Sequence, residues 1–515
     1  MAAAAGADGR APVLRPAGQG RGGPEEAGLP GLCLIGIGVA GPRARWTRGR
    51  DGDPEGAGFP GPAFSVPGGR APWPPPFSGG QAPPPPSAPA VLGARGIPAV
   101  LDNGPMPSAL PDGEPVPDDG ALPPHALDGA GERPLGFYLH VPYCATRCGY
   151  CDFNTYTATE LRGTGGVLAS RDNYAQTLVD EVRLARKVLG DDPRPVRTVF
   201  VGGGTPTLLA ADDLVRMLAA IRDEFGLAPD AEVTTEANPE SVDPAYLATL
   251  RAGGFNRISF GMQSARQHVL KILDRTHTPG RPEACVAEAR AAGFAHVNLD
   301  LIYGTPGESD DDWRASLDAA IGAGPDHVSA YALIVEEGTQ LARRIRRGEV
   351  PMTDDDVHAD RYLIAEETLS AAGFDWYEVS NWATSEAGRC LHNELYWRGA
   401  DWWGAGPGAH SHVGGVRWWN VKHPGAYASA LAAGRSPGAG RELLSAEDRR
   451  VERILLELRL REGVPLSLLK EPGLAAARRA LSDGLLQQTP YAEGRAALTL
   501  RGRLLADAVV RDLVD

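Results

Sequence analysis

Residues Phe137 to Thr155 read FYLHVPYCATRCGYCDFNT. An apolar run, Phe137–Val141, leads into a loop with Cys144, Cys148 and Cys151 in a C-x3-C-x2-C spacing. Thiolates are soft ligands that suit zinc or an iron–sulfur cluster. A closed structural zinc site takes four ligands. No fourth cysteine lies nearby, and the next is Cys285. Two readings stand at this point. Three thiolates on a cubane cluster would leave one iron without a protein ligand, open to a small molecule. Alternatively, His140 completes a zinc site.

Outward from this loop the chain alternates between strand and helix patterns. Apolar runs suited to strands occur at Phe137–Val141, Thr198–Val201, Glu232–Glu236, Arg257–Gly261, Val297–Ile302 and His327–Leu333. Between them, Asn173–Leu189 carries Ala175, Leu178, Val182, Ala185 and Val188 at helical spacing. Asp212–Phe225 reads as a second helix with Asp212 as its cap, and Pro282–Ala292 and Asp311–Ala323 as two more. Strand alternating with helix predicts a parallel sheet with right-handed crossovers. Six such units predict an α/β fold, an open partial (β/α)6 barrel with its chemistry at the C-terminal strand ends.

The sequence agrees with that placement. The second strand ends in Gly202-Gly203-Gly204-Thr205-Pro206. Bare glycines let a backbone approach a ligand and offer N–H donors. No Gly-Lys-Ser/Thr follows, so this is not a nucleotide P-loop. Glu236-Ala237-Asn238-Pro239 ends the third strand, and Arg257–Gly261 runs on to Gln263. Asp300 and Tyr303-Gly304-Thr305-Pro306-Gly307 end the fifth strand, and Tyr331-Ala332 the sixth. Each alone is ordinary loop chemistry; six in a row after a three-cysteine loop are not.

The cysteine spacing resembles that of the radical S-adenosylmethionine (SAM) enzymes. With GGGTPT at 202–207, EANPE at 236–240, RISFGMQS at 257–264 and DLIYGTPGE at 300–308, the chain from about Leu135 onward resembles the oxygen-independent coproporphyrinogen III oxidase family. The resemblance implies a [4Fe-4S] cluster on Cys144, Cys148 and Cys151. It also implies SAM chelated through its amino and carboxylate groups to the open iron, where reduction splits the sulfonium, chemistry that belongs to the cofactor. Carried across by position, it implies SAM contacts at Tyr138, Tyr150, Gly203, Gly204, Thr205, Glu236, Gln263, Arg275, Asp300 and Ala332. The dehydrogenases of this family carry a further cysteine two residues after the third ligand, where this chain has Phe153. In that respect it is similar to the family's heme chaperones, which bind heme and pass it to acceptor proteins. Coproporphyrinogen III dehydrogenase remains the alternative, so whether the protein is an enzyme stays open.

The second half adds to this. Gly373–His423 holds seven of the ten tryptophans and four histidines, His392, His410, His412 and His423. Aromatic faces suit a flat macrocycle, and imidazole is a common axial ligand of heme iron. Composition alone equally fits a buried aromatic core. His392-Asn393-Glu394-Leu395-Tyr396-Trp397 reads as H-N-x-x-Y-W, which the resemblance implies is heme-associated through His392, Asn393, Tyr396 and Trp397. Cys390 is a second ligand, a site of covalent attachment, or an inert core thiol.

Residues 1–133 hold 26 of the 45 prolines and few large aliphatics, which predicts a disordered extension. Within it, Gly36–Gly41 fits G-x-G-x-x-G, but Pro42 follows where a dinucleotide site needs a helix. The expected divisions are 1–133 as that extension, 134–370 as the barrel, 371–440 as the aromatic, heme-associated region, and 441–515 as a winged-helix-like helical domain. The last offers no basic helix, and with 51 basic against 65 acidic residues nucleic-acid binding is not expected. Six cysteines, three in one motif, point to a reducing, cytoplasmic setting rather than a disulfide framework. The apolar run Leu32–Ala40 is too short to span a bilayer, which takes about 18 residues. Homodimerisation, peripheral membrane contact and the heme acceptor are left open.

Overall fold

The computed structural model describes residues 113–162 and 170–514. The Gly36–Gly41 motif and the Leu32–Ala40 run lie outside the described residues. Six strands form the centre: β1 Leu135–Val141, β2 Val196–Gly203, β3 Leu227–Ala237, β4 Arg257–Gln263, β5 His296–Tyr303 and β6 His327–Ala332. They pair in parallel and in chain order. All seven residues of β1 are buried, as expected for a strand covered on both faces.

The crossover helices are α1 Arg171–Leu189, α2 Ala211–Phe225, α3 Pro244–Gly253, α4 Arg281–Ala292 and α5 Asp310–Ala323, and α6 Asp355–Ala371 follows β6. Local chemistry sets their ends. Asp243 caps α3 through the Tyr246 N–H ahead of Pro244, and Gly254 ends it in the left-handed region. Ser309 and Asp312 form a capping box on α5. The cap expected at Asp212 is instead Ala210, because α2 starts one residue earlier; Asp212 sits in the first turn, where its charge favours the helix dipole.

The sheet continues beyond the six strands. On one side β7 Asp375–Glu378 and β8 Asn381–Ala383 add antiparallel to β6. On the other, β9 Asp401–Ala405 adds parallel to β1, and β10 His410–Val413, β11 Val416–Asn420 and β12 Gly438–Leu443 follow antiparallel. The aromatic stretch expected as a region of its own therefore supplies both edges of the barrel's sheet. Its tryptophans are core residues: Trp376, Trp382, Trp397, Trp403, Trp418 and Trp419 are all buried.

The folded body also begins ahead of residue 134. Glu114 pairs backbone with Arg441, Ala126 is fully buried, and Arg133 meets Asp401 at 2.9 Å. At the other end, helices Ala446–Glu457, Glu471–Ser482 and Ala506–Val514 share a core with the β pair Val464–Pro465 and Arg495–Ala496. Arg503 ties this unit to α6 through Glu366 at 2.8 Å. Among the described residues no helix is long and apolar enough to cross a membrane.

Burial pushes four carboxyls up, Glu181 and Glu308 to about 7 and Glu236 and Glu378 to about 8. A carboxyl raised in the folded state stabilises it below the unfolded pKa, and that contribution is lost as pH rises through the folded value. Burial also pushes His140 and His410 down to about 4 and His392 to about 3. Their contribution is complete above the unfolded histidine value and is lost as pH falls. Between about pH 6.5 and 8 only the carboxyls change their contribution. The melting temperature of the apoprotein is therefore expected to fall as pH rises through that window. Glu378→Gln should flatten the slope; a melting temperature constant across the window would contradict this.

Candidate functional site

The cysteine loop is pinned at both ends. Tyr143–Cys144 pairs with Tyr156–Thr157, and the Gly149 N–H donates to the Leu273 carbonyl at 3.0 Å. All three cysteines are half-buried. Burial pushes the Cys151 thiol up to about 12 and raises that of Cys144. The Arg275 guanidinium lies 3.5 Å from the Cys148 sulfur and donates to the Gly261 carbonyl at 2.9 Å.

The zinc alternative does not fit. His140 spends Nδ1 on the Tyr138 hydroxyl at 3.0 Å and Nε2 on the Asn154 carbonyl at 2.9 Å. Among the described residues, no three His, Cys, Asp or Glu side chains converge tightly enough for one metal ion. A cubane presents its irons at separate corners, so its thiolates stand farther apart than the ligands of one ion. The donor set of three thiols beside a guanidinium fits the cluster.

The glycine turn closes over the loop. The Gly204 N–H donates to the Val141 carbonyl and the Thr205 N–H to the Tyr143 carbonyl, both at 2.8 Å. A Cβ on Gly204 would lie 2.5 Å from the Tyr143 carbonyl oxygen and 3.0 Å from the Cys144 sulfur. Gly203 has φ +113°, and its Cβ would meet the His140 ring at 2.7 Å. Gly204→Ala must therefore displace the Tyr143 carbonyl and the Cys144 sulfur beside it, at an overpacking cost of about 1–3 kcal/mol. The variant is expected to keep its far-ultraviolet circular dichroism and to hold less iron and sulfide per chain after reconstitution. Wild-type iron content would contradict that.

The other mouth residues form a connected rim. Glu236, half-buried, accepts from the Gly203 N–H at 3.0 Å. Its carboxyl is raised first by burial and then by the charge of Asp300. Asp300 accepts from Ser259 Oγ and Asn298 Nδ2, both at 2.7 Å, and burial raises its pKa too. Gln263 has φ +66° and Asp274 φ +51°; both non-glycine left-handed residues flank Arg275. Strain of this kind gathers where a fold over-determines its geometry. Tyr150 packs with Val269, Leu273, Ile302 and Leu341 beside the cysteine loop, and Ala332 closes β6 at the same end. The expected SAM residues thus converge on one mouth, with one exception. Tyr138 lies deeper, 2% exposed, stacked on Phe200 with its hydroxyl on His140.

The H-N-x-x-Y-W residues occupy the opposite end. Helix α7, Leu391–Trp397, sits against the strand starts. Glu232 on β3 accepts from the Leu391 and His392 N–H groups, both at 3.0 Å. Arg257, the first residue of β4, donates to the Gly388 carbonyl at 2.9 Å. The His392 ring bonds Thr198 Oγ1 at 2.8 Å and the Tyr396 hydroxyl at 2.9 Å, and stacks on Phe200. Both imidazole nitrogens are thus engaged within the protein, and His392 is 1% exposed. Burial raises the Glu378 carboxyl, and the Asn381 and Asn393 side chains bring it partway back. Cys390 is a buried thiol 3.5 Å from Glu232, with its pKa raised by burial. From Asp300 at the mouth, bonds run through Asn298, His327 and Tyr377 to the Cys390 N–H.

Residues 138–320 match the family model of the radical SAM superfamily. "Heme chaperone HemW" of Mycobacterium tuberculosis is 57% identical over 382 residues, 74% of this chain and 95% of the relative. The chain belongs to the HemW family. The Escherichia coli HemW is 37% identical over 280 residues, 54% of this chain and 70% of that protein. A mouse relative, "Radical S-adenosyl methionine domain-containing protein 1, mitochondrial", is 38% identical over 287 residues, 56% of this chain and 62% of its own. The fold is that of Escherichia coli coproporphyrinogen III oxidase (HemN), at TM-score 0.64 and 22% identity over 75% of this chain and 92% of that one. Two groups of buried polar residues lie outside the expected site residues. Thr198, Glu232 and His327 line the barrel floor but carry no local motif, and Arg257 opens the RISFGMQS run yet bonds the floor rather than the mouth. Glu181 does carry a signal, a carboxylate among the apolar Leu178, Val182 and Ala185 of α1. It holds Gly406 N–H and Asn420 and so anchors the β9–β11 edge.

Proposed function

We propose that this protein is a heme chaperone, which binds heme and passes it to an acceptor protein. Its barrel holds a [4Fe-4S] cluster on Cys144, Cys148 and Cys151, with SAM against it. One observation carries the reading: 57% identity spanning 95% of a relative named as a heme chaperone. Phe153 supports it, since it stands 42% exposed where the dehydrogenases resembling this chain carry a further cysteine. The rim chemistry suits SAM. Gly203 and Gly204 bring backbone to the cluster loop, Glu236 and Asp300 offer acceptors for an ammonium and for ribose hydroxyls, and Tyr150 offers an aromatic face. When bound, cluster and SAM supply one-electron chemistry at the sulfonium. Helix α7, with His392, Asn393, Tyr396 and Trp397, is the heme-associated element of this reading. Because both His392 nitrogens are already bonded, an axial role for it requires α7 to release Thr198 or Tyr396.

The test is an anaerobic heme titration of the reconstituted protein, with a parallel incubation of coproporphyrinogen, dithionite and SAM. A saturable Soret shift with no protoporphyrinogen formed is the expected result. Protoporphyrinogen formation would replace this reading with the dehydrogenase.

A further inference from the structure

A chain of hydrogen bonds joins the two ends of the barrel, and the direction of every bond in it is fixed. Asp300 stands half-buried at the mouth, and a carboxylate only accepts. It accepts from Asn298 Nδ2 at 2.7 Å, and the same nitrogen lies 2.7 Å from Ser259 Oγ and 3.1 Å from Ser329 Oγ. Asn298 therefore turns its Oδ1 the other way, to His327 Nδ1 at 2.6 Å. Burial pushes the His327 pKa well down, so the ring is neutral and carries one proton. An amide oxygen only accepts, which places that proton on Nδ1. Nε2 is then the acceptor, and the Tyr377 hydroxyl donates to it at 2.7 Å. The Tyr377 oxygen in turn accepts from the N–H of Cys390 at 3.1 Å, the residue directly before α7.

His327 is the joint of this chain. It opens β6, opposite Asn298 on β5, with its ring against that of Tyr377 on β7. Asn298, His327, Tyr377 and Cys390 are all buried, so no bulk water replaces a lost partner. A donor arriving at Asp300 fixes that carboxylate, the carboxylate fixes the Asn298 amide, and each later bond inherits its direction.

We propose that His327 is a positioning residue through which SAM at the mouth tightens the seat of α7. This rests on the reading of Asp300 as the acceptor for the SAM ribose hydroxyls, and deepens it. Without SAM the Asp300 carboxylate rests on the barrel's own donors alone; ribose hydroxyls add donors from the open side and hold it against Asn298. Bound SAM would then keep His392 on Thr198 and Tyr396, and oppose the release that an axial role for His392 requires.

The experiment follows hydrogen–deuterium exchange of the full-length, anaerobically reconstituted protein with and without saturating SAM, and measures SAM binding on the same samples by equilibrium dialysis. Residues 389–397 should exchange about fivefold or more slowly with SAM bound, while the helix Glu471–Ser482 should be unchanged. Tyr377→Phe, which removes one hydroxyl, and His327→Leu should each lose that slowing while still binding SAM. His327→Gln, with an amide N–H to donate and an oxygen to accept, should keep it. If His327→Leu does not fold, Tyr377→Phe decides. SAM bound by the wild type with no slowing in residues 389–397, or slowing that survives in Tyr377→Phe, overturns the role of His327 and leaves the SAM site standing. No SAM bound by the wild type removes the SAM reading of the mouth and the role of His327 together.

Discussion

Cys148→Ser and Cys148→Ala should emerge folded, colourless after reconstitution, and unable to bind SAM. Cys148 is half-buried in a loop whose ends are held by other bonds, so the cost to folding is expected to stay within about 0.5–1 kcal/mol. The cost to the cluster is far larger. Changes around a metal's ligands typically lower affinity about 10–100-fold, and here a ligand itself is removed. The Arg275 guanidinium loses its sulfur partner in the same step, while its bond to Gly261 remains. SAM depends on the open iron, so its affinity should fall with iron content. Heme binding should persist, because α7 packs against the strand starts while the cysteine loop sits at the strand ends. Visible absorbance, iron analysis, equilibrium dialysis of SAM and a heme titration read out all four expectations. Wild-type iron content in both variants would remove Cys148 from the ligand set. Loss of heme along with the cluster would mean that the two ends of the barrel are one site.

That separation into two ends was only half visible in the sequence. The mouth was legible because each of its parts is contiguous: three cysteines within eight residues, a glycine run after an apolar run, Asp300 in front of Tyr303-Gly304. The central strands and crossover helices were legible from their periodicity. The floor was not. Thr198, Glu232, Arg257, Asn298 and His327 come from five different strands, one residue each, and meet only once the sheet curves. No local pattern can mark a polar residue whose partners lie on other strands. The H-N-x-x-Y-W run was found as a motif, but its role as the buried plug of that floor depends on those same partners. Residues 113–133 misled for a different reason. A proline-rich strap needs few backbone donors, so a disordered tail and a chain laid along a surface share one composition. Only the fit of Ala126 and Arg133 against the barrel distinguishes them.

Glu232→Ala is expected to be the most destabilising single change at the floor. Helix α7 has only seven residues, too short to stand without tertiary support. Its first turn has orphan N–H groups, and the two at Leu391 and His392 are satisfied by the Glu232 carboxylate alone, across the barrel. The same carboxylate stands 3.8 Å from Nη1 of Arg257, which is 1% exposed and whose Nη2 has no hydrogen-bond partner. Removing Glu232 therefore leaves the buried His392 N–H and the half-buried Leu391 N–H without their acceptor, and leaves Arg257 with the Gly388 and Arg389 carbonyls but without this carboxylate. Breaking one side of a buried pair costs about 3–5 kcal/mol, and that is the expected loss in chemical denaturation. Glu232→Gln keeps one acceptor but turns an amide toward Arg257 and the helix donors, so an intermediate loss of about 1–3 kcal/mol is expected. The near-ultraviolet circular dichroism should weaken as Trp397 leaves its packed position. Heme affinity should fall with it, while a reconstituted sample held below its melting temperature should still bind SAM. Denaturation midpoints of Glu232→Ala within experimental error of the wild type would show that α7 is seated by its aromatic side chains instead. Arg257 would then need no counter-charge in the floor.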